Sequence, residues 1–215
     1  MNSRDPIVLL IAAIGMLAGG EAAASWSAAD VLTPSKIFLQ AGNGDDHARA
    51  YIAGVIWDWR WSRQYAFGTL TGYSEAGVGR WTTELEDGGR SSTWSTQVGL
   101  TPVLRFVPGT EDSRWFAEIG IGGNVIFPIY QSSDKSFSTR FNFGDHIAFG
   151  RFMDAERRNE LTLRLQHFSN AGIDHPNPGE NFIQLRYSRR LGGQSTHHDA
   201  STGLWSSNPS DANKS

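Results

Sequence analysis

The stretch Leu161-Thr162-Leu163-Arg164-Leu165-Gln166-His167-Phe168-Ser169-Asn170 alternates apolar and polar side chains with a period of two as far as Gln166. Successive side chains of a β-strand leave opposite faces, so Leu161, Leu163 and Leu165 share one face and Arg164 lies on the other. Carried two steps further, the same parity puts His167 and Ser169 at the end of the leucine stripe. A base and a hydroxyl therefore stand two residues apart on an apolar face. If that face meets lipid, so does any chemistry it carries.

The rhythm recurs along the chain. Beyond about residue 30, short alternating runs are separated by polar or glycine-rich turns, and strands are expected at 36–42, 47–61, 64–76, 93–106, 114–127, 139–153, 159–169 and 181–191. Lengths of about ten residues suit strands tilted across a bilayer. In the second run Tyr51, Ala53, Val55, Trp57, Trp59 and Trp61 share a face, opposite Gly54, Asp58 and Arg60. In the fifth, Trp115, Ala117, Ile119 and Ile121 oppose Phe116, Glu118, Gly120 and Gly122. In the eighth, Ile183, Leu185 and Tyr187 oppose Gln184, Arg186 and Ser188.

A soluble sandwich alternates too, so the residues opposite the apolar face must decide between the two. Asp58, Arg60, Glu118, Arg164 and Arg186 stand there in mid-strand among glycines, as a polar barrel interior requires, and Glu118 could pair there with an arginine. Trp57, Trp59 and Trp61 on one face match an interfacial girdle. The expected fold is all-β, an eight-stranded antiparallel transmembrane β-barrel. Such a barrel is just wide enough to be filled by side chains, so no pore is implied.

The ends of the chain agree. Ile7 to Ala18 is an apolar run too short to span a membrane but suited to the core of a secretory signal, and Ala22-Ala23-Ala24 offers a cleavage site. Residues 1–24 are expected to form a signal peptide and 25–191 an outer-membrane barrel. Residues 192–215 are expected to form a disordered polar tail in which His197-His198 is incidental. No later stretch is apolar enough for a transmembrane helix, which leaves a closed barrel as the spanning structure. The 215 residues include 24 Gly, 8 Trp and no Cys, so disulfides and thiolate chemistry are excluded. A net charge of -3 without a basic run argues against a nucleic-acid partner.

In an even-stranded outer-membrane barrel both termini are periplasmic, with short turns there and longer loops outside. Strand seven then ends at the extracellular rim and carries His167 and Ser169 to outer-leaflet height on the lipid-facing wall. A serine hydroxyl becomes a nucleophile when an imidazole accepts its proton, and the imidazole needs a third group to orient it. Glu180, opening the next strand, and Asp174, inside the loop, compete for that place. Asn177 and the backbone N–H near Gly172 are candidate donors to an ester oxyanion. A bare His-x-Ser pair carries little weight by itself.

His167-Phe168-Ser169-Asn170-Ala171-Gly172, followed by Pro176-Asn177-x-Gly179-Glu180, closely resembles the signature of the PagL family of lipid A 3-O-deacylases, which are eight-stranded outer-membrane barrels. The resemblance is specific over about residues 160–190 and elsewhere covers size, signal peptide and strand rhythm. It implies that His167 is the general base, Ser169 the nucleophile and Glu180 the residue orienting the histidine, with Asn177 and Gly172 at the oxyanion hole. The implied reaction is hydrolysis of the ester-linked 3-hydroxyacyl chain at position 3 of lipid A, without metal or cofactor. The implied partners are the lipopolysaccharide of the outer leaflet, the outer membrane and, in a homodimer, a second copy of the chain. Two features depart from the family form: the Pro176-to-Glu180 segment is one residue shorter, and polar residues follow the last strand where such barrels end on an aromatic.

Other motifs read as structure. Gly72-Tyr73-Ser74-Glu75-Ala76 lacks the final glycine of a nucleophile elbow, and Asn43-Gly44-Asp45-Asp46-His47 is a turn and no complete calcium loop. His146 shares parity with Asn142, Gly144 and Ala148 and is expected to hydrogen-bond in the interior. A noncatalytic adhesion or structural barrel, a phospholipid acyl hydrolase and a soluble β-sandwich are the rival readings.

Overall fold

The alternating runs form eight strands that close into one ring in chain order. They are β1 (Lys36–Gly44), β2 (Arg49–Tyr65), β3 (Gly68–Glu84), β4 (Ser92–Pro108), β5 (Trp115–Phe127), β6 (Phe141–Phe152), β7 (Asn159–Ser169) and β8 (Glu180–Arg190). The computed structural model describes residues 33–45, 47–84, 92–109 and 113–192, so the expected signal peptide and the tail beyond 192 lie outside the described residues. Every neighbouring pair is antiparallel, and β1 closes on β8 from Lys36↔Arg190 to Gly44↔Phe182. One rim, the turn end, carries the connections 66–67, 109–114 and 153–158. The other, the loop end, carries 45–48, 85–91, 128–140 and 170–179. A single closed ring excludes the two packed sheets of a sandwich.

The largest departures from the expected limits fall in β2 and β3. The break is expected at Ser62-Arg63, with the third strand opening at Gln64, yet Ser62, Arg63 and Gln64 pair with Thr71, Leu70 and Thr69 after a bulge between Asp58 and Ser62, so the turn falls at Ala66-Phe67. β3 also runs through Gly77-Val78-Gly79 instead of stopping there. Gly79 faces the interior, where a Cβ would stand 2.6 Å from Ile52 Cγ1. The glycine is a recess for a neighbouring side chain and not a turn residue.

The outer wall is aliphatic. Leu163 leaves 53% of its surface exposed, Ile147 57% and Leu39 66%. A belt of this kind around a whole ring needs an apolar surrounding. Trp59 lies on this wall, packed over Gly72, and its Nε1 donates to Ser74 Oγ at 3.0 Å.

The interior is filled in layers. Near the turn end Lys36 pairs with Asp58 at 3.2 Å and Glu160 at 2.8 Å. Arg105 grips Glu160 with two N–H groups at 3.0 and 2.8 Å and donates through Nε to Glu118 at 2.8 Å. Midway, Glu75 accepts from Arg164 at 2.8 and 3.2 Å and from Arg186, while Arg186 Nε donates to Gln40 at 2.7 Å. Asp58, Glu75, Glu118 and Glu160 thus balance Lys36, Arg105, Arg164 and Arg186 one for one. Buried charges are tolerable only when paired this way. Toward the loop end an aromatic cap takes over, with the Trp81 ring 4.7 Å from both Phe168 and Phe182 and 5.3 Å from Tyr130. Glu118 pairs with an arginine as expected, whereas Arg60 falls in the bulge and is exposed. His146 is buried on the polar face, but neither ring nitrogen has a partner among the described residues.

Candidate active site

The last residues of β7 divide between the two surfaces. Phe168 is fully buried in the aromatic cap, and the flanking His167 and Ser169 turn outward and stay partly exposed. Anchoring the middle residue fixes the backbone that presents the other two. Across the sheet His167 is in register with Asp145 of β6 and Asn181 of β8, so a polar row crosses three strands. One step toward the turn end runs an apolar row of cross-strand partners, Ile119, Ile147, Leu165 and Ile183.

His167 Nδ1 lies 2.7 Å from Asn181 Oδ1. The other end of that amide, Nδ2, donates to Asp45 Oδ2 at 3.0 Å, so the end facing the imidazole is the acceptor. An acceptor there puts the proton on Nδ1 and leaves the Nε2 lone pair free. Asp45, in the loop after β1, also takes Lys135 Nζ at 2.9 Å, and its N–H donates to Asn181 O at 3.1 Å. The hydrogen bond from Lys135, then that from Asn181, holds the Asp45 carboxyl below its usual range. Burial works against the Lys135 ammonium, but its bonds to Asp45 and Glu180 outweigh this and raise its pKa.

Glu180 does not reach His167, contrary to the expectation that it would hold the second ring nitrogen. It is in register with Phe168, on the inward parity of β8 shared with Phe182 and Gln184. A single-residue step along a strand reverses the face. Its carboxylate is fully buried inside the barrel, with Oε2 3.3 Å from Lys135 Nζ. Asp174, the rival third member, stays in the exposed loop and accepts from the N–H of His175 at 2.8 Å. Gly179 precedes Glu180 at φ +69°, and a Cβ there would stand 2.7 Å from His167 Cε1. Only glycine meets both conditions.

Asn170, nearly fully buried, organises the loop. Its Nδ2 donates to Ser138 Oγ and to Asp174 O, each at 2.9 Å, and its Oδ1 accepts the Gly172 N–H at 2.9 Å. The Gly172 N–H, one of the expected oxyanion donors, is thereby engaged. Asn177 accepts the Asn170 N–H through Oδ1 at 3.0 Å, which leaves its Nδ2 as a donor. No hydrogen bond among the described residues joins Ser169 Oγ to His167, and contacts of this kind commonly tighten only with substrate in place. No cluster of three or more metal-ligating side chains occurs among the described residues. Gly72-Tyr73-Ser74-Glu75-Ala76 lies wholly within β3, and its Glu75 belongs to the interior ion pairs.

The closed eight-stranded barrel with an apolar outer wall is that of an outer-membrane protein, and it carries His167 and Ser169 on the same outward face. The family model described as lipid A 3-O-deacylase (PagL) matches residues 47–190. The chain belongs to this family. It is 34% identical over 159 residues to the lipid A deacylase PagL of Bordetella bronchiseptica, covering 73% of this chain and 83% of that protein. It is 31% identical over 166 residues to the lipid A deacylase PagL of Pseudomonas aeruginosa, covering 76% and 87% respectively. A crystal structure of the outer membrane enzyme PagL matches with a TM-score of 0.62 at 27% identity, covering 73% of this chain and 99% of that one. The chain is an ester-hydrolysing enzyme of the outer membrane.

Proposed function

We propose that this enzyme hydrolyses the ester-linked 3-hydroxyacyl chain at position 3 of lipid A, at the outer leaflet, with Ser169 as nucleophile and His167 as general base. The observation that carries the reading is His167, its Nδ1 2.7 Å from Asn181 Oδ1, on the same outward face as Ser169 and bordered by Ile119, Ile147, Leu165 and Ile183. An amphiphile held in the membrane meets an apolar row and a polar row in that order, so its acyl chain lies along the first and its ester reaches the second. The loop end is read as outward because it carries the longest connections, 128–140 and 170–179.

His167 Nε2 takes the Ser169 hydroxyl proton as Oγ attacks the ester carbonyl carbon, and the developing oxyanion draws on the free amide of Asn177. Gly172, with open space where a Cβ would be, leaves the approach over the loop clear. Collapse of the tetrahedral species returns the proton from His167 to the departing sugar oxygen. Water, activated by the same imidazole, then releases the hydroxy fatty acid from Ser169. Every residue named belongs to one chain, so this chemistry does not depend on a homodimer.

The test is mass spectrometry of lipid A from cells expressing wild type or Ser169→Ala at matched outer-membrane levels. Loss of one hydroxyacyl chain with wild type alone is the expected result. Identical spectra from both would remove the assignment.

A further inference from the structure

We infer that Asn181, held by Asp45 and Lys135, is the residue that positions His167, and that Glu180 is not. The inference rests on the reading of His167 and Ser169 as base and nucleophile, and it deepens that reading.

The direction of each hydrogen bond is forced from the ends of the chain of contacts. Lys135 can only donate and the Asp45 carboxylate can only accept, which fixes their 2.9 Å contact. Because Asp45 accepts, the Asn181 group 3.0 Å away is Nδ2, and Oδ1 is the end turned to His167. Because Oδ1 accepts, Nδ1 of the imidazole carries the hydrogen. One tautomer follows, the one that leaves Nε2 basic. Neither Glu180 nor Asp145 hydrogen-bonds to the ring among the described residues; Glu180 is buried beneath the sheet, and Asp145 flanks His167 on the β6 side.

A neutral amide in this position also suits its place on the wall. When His167 gains the Ser169 proton, the cation needs a negative counterpart. Asp145, the cross-strand neighbour on β6, already carries one carboxylate on this wall, and the amide adds no second one against the ring. The charge that acts through the amide stands one residue farther out, on Asp45 in a loop, and polarises the amide dipole. Lys135 anchors Asp45, and through Glu180 it ties the outer relay to the barrel interior. Glu180 thus serves the fold of the relay's base and not the imidazole.

The experiment compares initial rates of purified, refolded barrel on lipid A in mixed micelles for Asn181→Ala, Glu180→Gln, Asp45→Asn, Asn181→Asp and the combination of Asn181→Asp with Asp45→Asn. Ser169→Ala is run beside them, and folding is monitored by the shift in gel mobility on boiling. Asn181→Ala is expected to lower kcat on the order of 100-fold with KM near the wild-type value, the cost of a base that is no longer aimed. Glu180→Gln, which loosens only the anchor of Lys135, is expected to lower kcat far less than Asn181→Ala. Asn181→Asp alone sets two carboxylates against each other, and the combination restores a donor opposite an acceptor, so it should recover most of the rate lost by either single variant. A purely structural asparagine would show no such recovery. Wild-type kcat in Asn181→Ala with loss in Glu180→Gln overturns the inference, as does a double variant no faster than its parents. An active Ser169→Ala would instead sink the underlying assignment of the nucleophile.

Discussion

The two faces of β7 are made from one run of sequence and do opposite work. Inward, Glu160 and Arg164 are locked into ion pairs and Phe168 into an aromatic cap; outward, the leucines meet lipid and end at His167 and Ser169. The charged face supplies the packing, and the apolar face carries the residues proposed for the chemistry. In a water-soluble enzyme the charges face solvent and the aliphatic residues fill the core. Placing a barrel in lipid inverts that arrangement, so the polar groups that hold this fold together are spatially separate from those assigned to catalysis.

Four substitutions or conditions press on this division. Ser169→Ala should remove activity by on the order of 10⁴-fold or more and leave unfolding in urea untouched. A matching loss of stability would show that the outer residues also hold the fold. Glu75→Gln should do the reverse. It leaves Arg164 and Arg186 buried without their carboxylate and should cost about 3–5 kcal/mol in the same unfolding assay, with the rate per folded molecule unchanged. Phe168→Ala is the case that should cross the boundary. The lost ring opens a cavity beside Trp81 and Phe182 costing about 3–5 kcal/mol, and it frees the backbone between His167 and Ser169, so the rate per folded molecule should fall as well.

The smallest effect expected is on pH. Asp45 has its pKa depressed, so its charge and its hold on Asn181 are fully present above the ordinary carboxylate range, roughly pH 4, and are lost only as pH falls through the lowered value. The ratio of wild-type to Asp45→Asn rates should therefore stay flat from about pH 8 to about pH 5, with convergence only below that. Convergence already near neutrality would mean that Asp45 is not what holds the amide.

Much of this was legible in the alternation. The faces of β8 and of the first half of β5 follow the period of two, Ile121 being buried, and the charged positions Asp58, Glu118, Arg164 and Arg186 lie inside as a barrel interior demands. The third strand, expected to end at 76, runs on because Gly77 and Gly79 make room for Ile52 inside the strand, a role that a glycine in sequence does not distinguish from a turn. The partner of His167 was legible too. The parity that groups Ile183, Leu185 and Tyr187 outward also takes Asn181 outward and Glu180 inward when carried one step back. The reading of Glu180 rests on its place at the start of β8 and on the family resemblance, and the parity of that strand runs against it. Asp45 and Lys135 were beyond local reading, because two loops 90 residues apart meet only when the ring closes.

The interior of the barrel has one further meaning. Ion pairs and rings leave a cavity of ≈ 20 Å³ beside Glu75 and Arg164, room for about one water and far short of a conduit. Among the described residues the interior is thus plugged, so the wall can carry an outward-facing site while the middle of the barrel stays filled.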